Sequence, residues 1–320
     1  MNRTLLAIPL LAVLALAGCA EPAAAPVETP TAAGPVSVEN CGVPVTFDSP
    51  PERVITIKST STELLLALEL GDRIIGTAFP DGPVPEEWAD AAADVPVLSD
   101  KVPGQEAVLA AEPDLVFAGW ESNFSPEGAG NRADLEALGV ATYVSPAACK
   151  GENQPARLDF EGIFGDIEEV ADIFQVDATD LIEEQRAIVD DIEPDDRGLT
   201  ALWFSSGSDT PYVGAGIGAP QLVLDTIGLE NIAGSIDDTW SPFNWEAVVD
   251  ANPDVIVLVD SSWGTVEKKI AVLEGNPATA NLDAVRNSRY LVIPFAAGEA
   301  GVRTAPAAAD LAEQLAALEF

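Results

Sequence analysis

Short apolar runs alternate with helical patterns along most of the chain. Residues 115–118 and 255–259 are continuous apolar runs with turn residues on each side. Runs of this length are typical of strands buried on both faces of a parallel sheet. Similar runs occupy residues 54–57, 73–77 and 199–204, and helical patterns occupy residues 64–68, 158–174, 177–192, 220–227 and 306–318. The pattern predicts an α/β fold built from strand–loop–helix units, with a small hairpin at residues 36–47.

Two stretches of the chain repeat each other at a spacing of 140 residues. Residues 105–122 read QEAVLAAEPDLVFAGWES and residues 245–262 read WEAVVDANPDVIVLVDSS, with seven of eighteen positions identical. In each copy a proline, Pro113 or Pro253, ends a helix before a buried strand begins. A repeat that occurs only twice predicts two equivalent lobes and not a solenoid. The alternative is that both copies use a common α/β idiom.

The loops after the predicted strands are candidate ligand-binding segments, because ligands of open α/β sheets bind at the carboxyl ends of the strands. The glycine run VGAGIG at residues 213–218 lacks the strand-to-helix context of a dinucleotide site. We interpret it as a tight turn close to the ligand cleft that two lobes would form between them. At the start of the first helix, Glu63 stands at capping-box distance from Thr60.

The first residues have the pattern of an export signal. Arg3 precedes the apolar residues 5–16, and the small-residue cleavage sequence LAGC ends at Cys19. This looks like a bacterial lipobox, in which Cys19 becomes the lipidated first residue; an ordinary signal peptide with a chance cysteine is the alternative. Residues 21–35 lack periodicity, which predicts a flexible tether. We therefore expect a folded part held by lipid at the extracytoplasmic face of the bacterial cell membrane.

The composition excludes several function classes. The chain has 53 acidic residues, 15 basic residues and no histidine. Nucleic acid is excluded as a partner because its binding needs a basic face. Catalysis by Ser-His-Asp or Cys-His groups and histidine-based zinc binding are excluded as well. With Cys19 set aside, Cys41 and Cys149 form an even pair outside the membrane, which predicts a disulfide; two unpaired buried thiols are the alternative.

With these elements placed, the chain resembles the solute-binding proteins of iron-siderophore and cobalamin ABC importers. The likeness begins at about residue 36 and includes the sequences PERVI, AEPDLV and ANPDVI at residues 51–55, 111–116 and 251–256. It implies two Rossmann-like lobes, each a mainly parallel sheet flanked by helices, joined by one long bridging helix with a ligand cleft between them. The predicted segments are a signal peptide (1–18), a tether (19–35), an N-terminal lobe (36–157), a helical connection with the bridging helix (158–197) and a C-terminal lobe (198–320).

The resemblance also implies a partner at the membrane. Members of this family deliver a small molecule to a dimeric ABC permease through one acidic residue on each lobe, at the start of the helix before each Pro-Asp. These positions are Glu106 and Glu246, which lie in the repeated Glu-Ala-Val. The alternative is that each glutamate only favours its own helix N-terminus. We expect a monomer, anchored through Cys19, that is not an enzyme and carries no metal or cofactor.

The loops at residues 54–60, 79–83, 119–124 and 205–211 resemble an actinobacterial subgroup proposed to import a precursor of the deazaflavin coenzyme factor four-twenty. Flat aromatic side chains in such loops suit a planar ring, and cations there suit an anionic ligand. The candidate ligand-binding residues are Lys58, Ser59, Thr60, Phe79, Trp120, Phe124, Ser206, Ser208, Tyr212, Trp240, Trp263, Phe295 and Arg303, with Lys101 as a further cation. A ferric siderophore suits this lining too, and cobalamin suits it less well. The alternative is that about half of the aromatic residues belong to the core and that the serines are helix caps.

The alternatives to a binding protein are an extracellular enzyme and a structural lipoprotein. An extracellular hydrolase could use Glu121 and Glu299 as acid and base, although nothing in their spacing supports this. A purely structural surface lipoprotein would not need a duplicated fold around a cleft. A single merged sheet, with Trp120 and Trp263 on opposite outer faces, would contradict the two-lobe prediction.

Overall fold

A β-hairpin begins the part of the chain that the computed structural model describes, residues 34–320. Its antiparallel strands are β1 (Val36–Asn40) and β2 (Val43–Phe47), as the sequence predicts. The predicted signal peptide, Cys19 and nearly all of the predicted tether lie outside the described residues.

The first lobe contains a sheet of five parallel strands. Its elements, in chain order, are β3 (Val54–Ile57), α1 (Ser59–Ala67), β4 (Ile74–Ala78), α2 (Ala89–Ala92), β5 (Val97–Ser99), α3 (Gln105–Ala110), β6 (Leu115–Ala118), α4 (Arg132–Ala137) and β7 (Ala141–Val144). The strand order is β5-β4-β3-β6-β7, so the direction of winding reverses between β3 and β6. The loops after these two strands therefore flank the topological switch point, where ligands of doubly wound sheets bind.

Alternate residues of the first sheet supply two hydrophobic layers. Val54, Leu115 and Phe117 belong to one cluster, together with apolar residues of α1 and of the helical residues 160–174. Ile55 and Val116 belong to the cluster on the opposite face, with α3 and α4. Because side chains alternate along a strand, the continuous apolar runs of the sequence match a sheet covered on both faces.

Two helices, α5 (Phe160–Phe174) and α6 (Thr179–Asp190), connect the lobes. The apolar face of α5 is buried in the core of the first lobe. Leu181 and Val189 of α6 contact the core of the first lobe, and Ile192, two residues after the end of the helix, contacts that of the second. The amphipathic pattern at residues 177–192 thus corresponds to a helical segment in contact with both lobes.

The second lobe is built around a six-stranded mixed sheet. Its elements are β8 (Thr200–Ser206), β9 (Tyr212–Gly214), α7 (Ala219–Thr226), β10 (Glu230–Asn231), β11 (Trp240–Pro242), α8 (Trp245–Ala251), β12 (Val255–Asp260), α9 (Val266–Gly275), α10 (Asp283–Arg286), β13 (Tyr290–Pro294) and α11 (Thr304–Ala316). The order is β11-β9-β8-β12-β13, with β10 also paired to β8. Strands β8, β10, β12 and β13 run parallel, while β9 and β11 are antiparallel to their neighbours.

The sheets of the two lobes are separate, so the predicted α/β fold with two lobes is confirmed. One local prediction is wrong. Helix α1 begins at Ser59 without a side-chain cap, and Glu63 is buried with its carboxylate against Arg303 of the other lobe, at 3.3 Å. The capping box of Thr60 and Glu63 does not form, because the helix begins at Ser59 with Lys58 as its N-cap residue and Thr60 therefore lies inside the first turn. None of the helices within residues 34–320 combines the length and apolar character that a membrane crossing requires.

Candidate functional site between the lobes

A cavity of about 590 Å³ lies between the two sheets. The loops after β3, β6 and β7 form its wall in the first lobe, and segments next to β8, β9, β11, β12 and β13 form its wall in the second. Strands β3 and β6, and likewise β8 and β12, are neighbours at the centre of their sheets. The cavity therefore lies at the carboxyl ends of the central strands of both lobes, and its volume is typical of a site for one small molecule.

Seven of the thirteen predicted ligand-binding residues line this cavity. They are Thr60, Trp120, Ser206, Tyr212, Trp240, Trp263 and Phe295. Phe295 lies at the centre of the aromatic group, with ring centroids 6.3 Å from Trp120, 6.1 Å from Trp240 and 4.8 Å from Trp263. Trp240 is nearly parallel to Phe295, at 23°. Trp120 and Trp263 thus face one cavity, and flat side chains from both lobes form its wall.

Lys58 and Ser59 lie beneath the cavity wall and do not line it. Both are buried, and the Lys58 ammonium forms an ion pair with the Asp81 carboxylate. The Ser59 N–H donates to that carboxylate at 3.2 Å, and the Ser59 hydroxyl accepts from the Asp81 N–H at 2.9 Å. The ammonium also lies 3.8 Å from the centroid of the Trp120 ring and 4.4 Å from that of Phe79. Lys58 therefore supports the aromatic wall from behind.

The other predicted residues are also outside the cavity lining. Phe79 packs edge-on against Trp120, and Phe124 packs beside Cys41 and Cys149. Ser208 is exposed, and its carbonyl accepts from the Trp245 indole at 2.8 Å. The exposed Lys101 does not line the cavity, and Arg303 contacts Glu63. The expectation of an anionic ligand depended on Lys58, Lys101 and Arg303, and the structure places none of their charges on the wall.

A polar group that the sequence did not reveal lies at the edge of the cavity and consists of Lys150, Asp238 and Thr239. The Lys150 ammonium lies 3.3 Å from the Asp238 carboxylate and 3.1 Å from the Thr239 hydroxyl. The Lys150 N–H donates to Glu121 at 2.7 Å. Lys150 follows β7 of the first lobe and Asp238 precedes β11 of the second, so these contacts join the lobes beside the cavity.

Glu299 is a half-buried acidic residue of the cavity wall. Its Oε2 accepts from the Trp120 indole N–H of the other lobe at 2.7 Å. Its Oε1 is buried and has no hydrogen-bond partner among residues 34–320. Burial raises the pKa of the Glu299 carboxyl, although the Trp120 N–H and the Lys58 charge act in the opposite direction. The two carboxylates that the hydrolase alternative used, Glu121 and Glu299, therefore both line the cavity.

A second contact between the lobes is buried next to this site. Arg303 donates to Glu63, whose side chain is 2% exposed. Burial raises the pKa of the Glu63 carboxyl to about 7, while the Arg303 charge lowers it. The charge of Arg303 is therefore engaged inside the protein and not offered to a ligand.

A disulfide holds one segment of the cavity wall. The structure pairs Cys41, at the turn of the first hairpin, with Cys149, which precedes Lys150. Both half-cystines are buried with Val144 at the end of β7. The disulfide attaches residues 146–150, which contribute to the cavity wall, to the hairpin of the first lobe. The glycine run also reaches the wall, since Ile217 and Gly218 line the cavity.

The two glutamates predicted to contact a permease occupy equivalent positions. Glu106 lies in the first turn of α3 and Glu246 in the first turn of α8, and both side chains are exposed. Asn244 caps α8 by accepting from the Glu246 N–H at 2.7 Å, so the Glu246 carboxylate is not used as a cap.

Comparison with known proteins agrees with this architecture. A curated relative, the uncharacterized ABC transporter substrate-binding lipoprotein YvrC of Bacillus subtilis (strain 168), is 26% identical over 96% of this chain and 94% of its own length. The crystal structure of a periplasmic binding protein from Veillonella parvula superposes with a TM-score of 0.78 at 25% identity, covering 89% of this chain and 99% of the other. An ABC-type Fe3+-hydroxamate transport system structure from Saccharomonospora viridis gives 0.77 at 25% identity, covering 88% and 99%.

The sequence profile of the family described as periplasmic binding protein matches residues 54–297. This range includes both sheets and all the cavity segments between β3 and Phe295. The chain belongs to the periplasmic binding protein family.

Proposed function

We propose that this chain is the solute-binding component of an ABC importer, anchored through Cys19 at the extracytoplasmic face of the cell membrane. It acts as a monomer, captures one planar small molecule between its lobes and delivers it unaltered to a permease dimer. The observation that carries the proposal is the 590 Å³ cavity, which the strand ends of both lobes enclose with flat aromatic side chains. Family membership and the name of the Bacillus subtilis relative support the same function.

The orientation of the aromatic rings in the cavity wall supports a planar ligand, and it does not select one particular compound. Trp240 and Phe295 present nearly parallel rings, against which a flat ring system can stack. The precursor of the deazaflavin coenzyme satisfies this requirement through its ring system. A ferric hydroxamate is the alternative, because the similar Saccharomonospora viridis structure is that of an Fe3+-hydroxamate transport system.

In this proposal, Glu106 and Glu246 are the contacts with the permease. Each is an exposed carboxylate at an equivalent position of the repeat, where it can pair with a basic residue of one permease subunit. Delivery needs these charges, while capture of the ligand does not, because neither residue lines the cavity.

Charge reversal tests this division of roles. We expect the variant Glu106→Lys/Glu246→Lys to retain the small molecule that co-purifies with the wild-type protein. We also expect it to fail to restore uptake of that molecule in a deletion strain of the source host, because like charges would then meet at both contacts. Native mass spectrometry measures retention, and accumulation in the cells measures uptake.

The matched control is Asp180→Lys, which reverses an exposed acid in the first turn of α6. We expect this variant to restore uptake. Wild-type uptake by the doubly reversed variant would contradict the proposed docking contacts.

A further inference from the structure

We infer that the ligand carries a positive charge, and that the Glu299 carboxylate in the cavity wall is the group that recognises this charge. The inference rests on the proposed function as a solute-binding protein, and it replaces the ligand candidates considered there with another chemical class, a planar organic cation. It reverses the expectation of an anion that the positions of lysine and arginine in the sequence suggest.

The charged residues of the lining carry the first part of the argument. Among residues 34–320, four charged side chains line the cavity, and they are Glu121, Lys150, Asp238 and Glu299. Carboxylates therefore exceed ammonium groups by two, and the single ammonium already contacts Asp238. The nearby cations beneath the wall are paired, Lys58 with Asp81 and Arg303 with Glu63. An anion in this cavity would face carboxylates, while a cation would meet a complementary charge.

The unpartnered oxygen of Glu299 carries the second part. Buried polar atoms in native proteins almost always have a hydrogen-bond partner, so an exception beside a cavity marks a charge that the protein itself leaves uncompensated. The Trp120 N–H already occupies Oε2, and Oε1 has no partner among residues 34–320. A cation in the cavity would compensate this negative charge through the wall, without touching Oε1, and would favour the ionised carboxyl.

The aromatic wall carries the third part. The faces of tryptophan, tyrosine and phenylalanine rings are electron-rich and attract cations, tryptophan most strongly. Trp120, Trp240 and Phe295 surround the same region, and the protein already uses this attraction where Lys58 lies against Trp120. A planar cation can therefore stack on the rings and direct its charged nitrogen to Glu299, so one molecule satisfies all three features.

A pair of dyes of similar shape and opposite charge tests the inference. Proflavine is a planar tricyclic cation, and anthracene carboxylate is a planar tricyclic anion. In calorimetric titrations of the ligand-free protein at about 0.15 M salt, where long-range attraction to the acidic surface is screened, we expect proflavine to bind one-to-one. We expect its Kd to be lower than that of anthracene carboxylate by about tenfold or more.

Two matched variants separate recognition in the cavity from attraction to an acidic protein. Glu299→Gln keeps the shape of the side chain and removes its charge, and we expect it to weaken proflavine binding by about tenfold. Glu319→Gln removes one charge from the exposed C-terminal end and leaves the cavity unchanged. We expect it to bind proflavine as the wild-type protein does. Circular dichroism of both variants checks that the fold is retained.

Each other outcome overturns the inference. Tighter binding of anthracene carboxylate than of proflavine would do so, as would undiminished proflavine binding by Glu299→Gln or an equal loss in Glu319→Gln. Absence of binding by both dyes would overturn it as well. None of these results affects the proposed function. That function is tested separately by the uptake experiment with the variant Glu106→Lys/Glu246→Lys.

Discussion

Lys58 has the most constrained backbone next to the cavity. Its φ of 83° and ψ of 155° lie in a region that is almost exclusive to glycine, at an expected cost on the order of 1–3 kcal/mol. The following Ser59 begins α1, and the neighbouring Gly119 leaves no room for a Cβ, which would lie 2.7 Å from the Lys58 Cβ. The buried ion pair with Asp81 and the ring of Trp120 offset this cost and hold the conformation.

The Lys58–Asp81 pair predicts non-additive effects on stability. Removal of one partner leaves the other charge buried and unpaired, so we expect Asp81→Asn to lower the free energy of unfolding by about 3–5 kcal/mol. The double variant Lys58→Met/Asp81→Asn buries no unpaired charge, and we expect it to be more stable than Asp81→Asn alone. Urea denaturation of the wild-type protein and the variants measures the difference. A double variant that is no more stable than Asp81→Asn would contradict the assignment of a coupled buried pair.

The aromatic residues of the cavity could be predicted from the sequence, but the positions of the lysine and arginine side chains relative to the cavity could not. Trp120 and Trp263 follow strands whose carboxyl ends must point to the cleft, so their position is enough to identify them. The position of Lys58 after β3 does not reveal that Asp81, 23 residues later, holds its ammonium beneath the wall. Lys150 was missed because it lies in a segment without periodicity. The one local signal for Lys150 is that it directly follows Cys149, a residue predicted to form a disulfide.

At the scale of elements, the repeated Pro-Asp has the same role in both lobes. The Asp114 carboxylate accepts from the Arg53 N–H next to β3, at 2.9 Å, and the Asp254 carboxylate accepts from the Thr200 N–H of β8, also at 2.9 Å. The residues before the two prolines, Glu112 and Asn252, both have positive φ. Repeated sequence thus corresponds to repeated hydrogen bonding, and the predicted apolar runs match the central strands β3, β6, β8 and β12. The short strands β5, β9, β10 and β11 were not predicted, because each has at most three residues.

Helix α5 makes stability dependent on pH through Asp166. Burial and the charge of Glu169 together raise the pKa of this carboxyl from 3.8 to about 7, with burial the larger cause. The folded chain therefore binds a proton that the unfolded chain releases between these values. Because the unfolded state binds fewer protons there, this group lowers stability as the pH rises through that interval, and the loss is complete above the folded pKa.

We expect Asp166→Asn to remove this loss. Its free energy of unfolding should exceed that of the wild-type protein at about pH 8, by at most about 4 kcal/mol, and should match it at about pH 4. Chemical denaturation at both values measures the effect, with the exposed Asp172→Asn of the same helix as control. An equal effect at the two pH values would contradict the titration of Asp166.

At the scale of the whole molecule, two sheets enclose one cavity, and polar contacts cross between the lobes beside it. Trp120 contacts Glu299, Glu63 contacts Arg303, and Lys150 contacts Asp238. The sequence could predict two lobes because duplication is visible in it. It could not predict these contacts, since each joins residues at least 88 positions apart whose meeting depends on how the lobes pack.

The cavity between the lobes is proposed to hold one small molecule without altering it. Ser206 lines the cavity, while Ser208, two residues later, is exposed and does not. The variants Ser206→Trp and Ser208→Trp therefore add the same bulk inside and outside the site. Native mass spectrometry of proteins purified from the source host measures what each one carries.

We predict that the wild-type protein and Ser208→Trp each carry one copy of the same small molecule, and that Ser206→Trp carries none. An unoccupied wild-type protein, or a Ser206→Trp variant occupied as fully as the wild type, would contradict the proposed binding of a small molecule in this cavity.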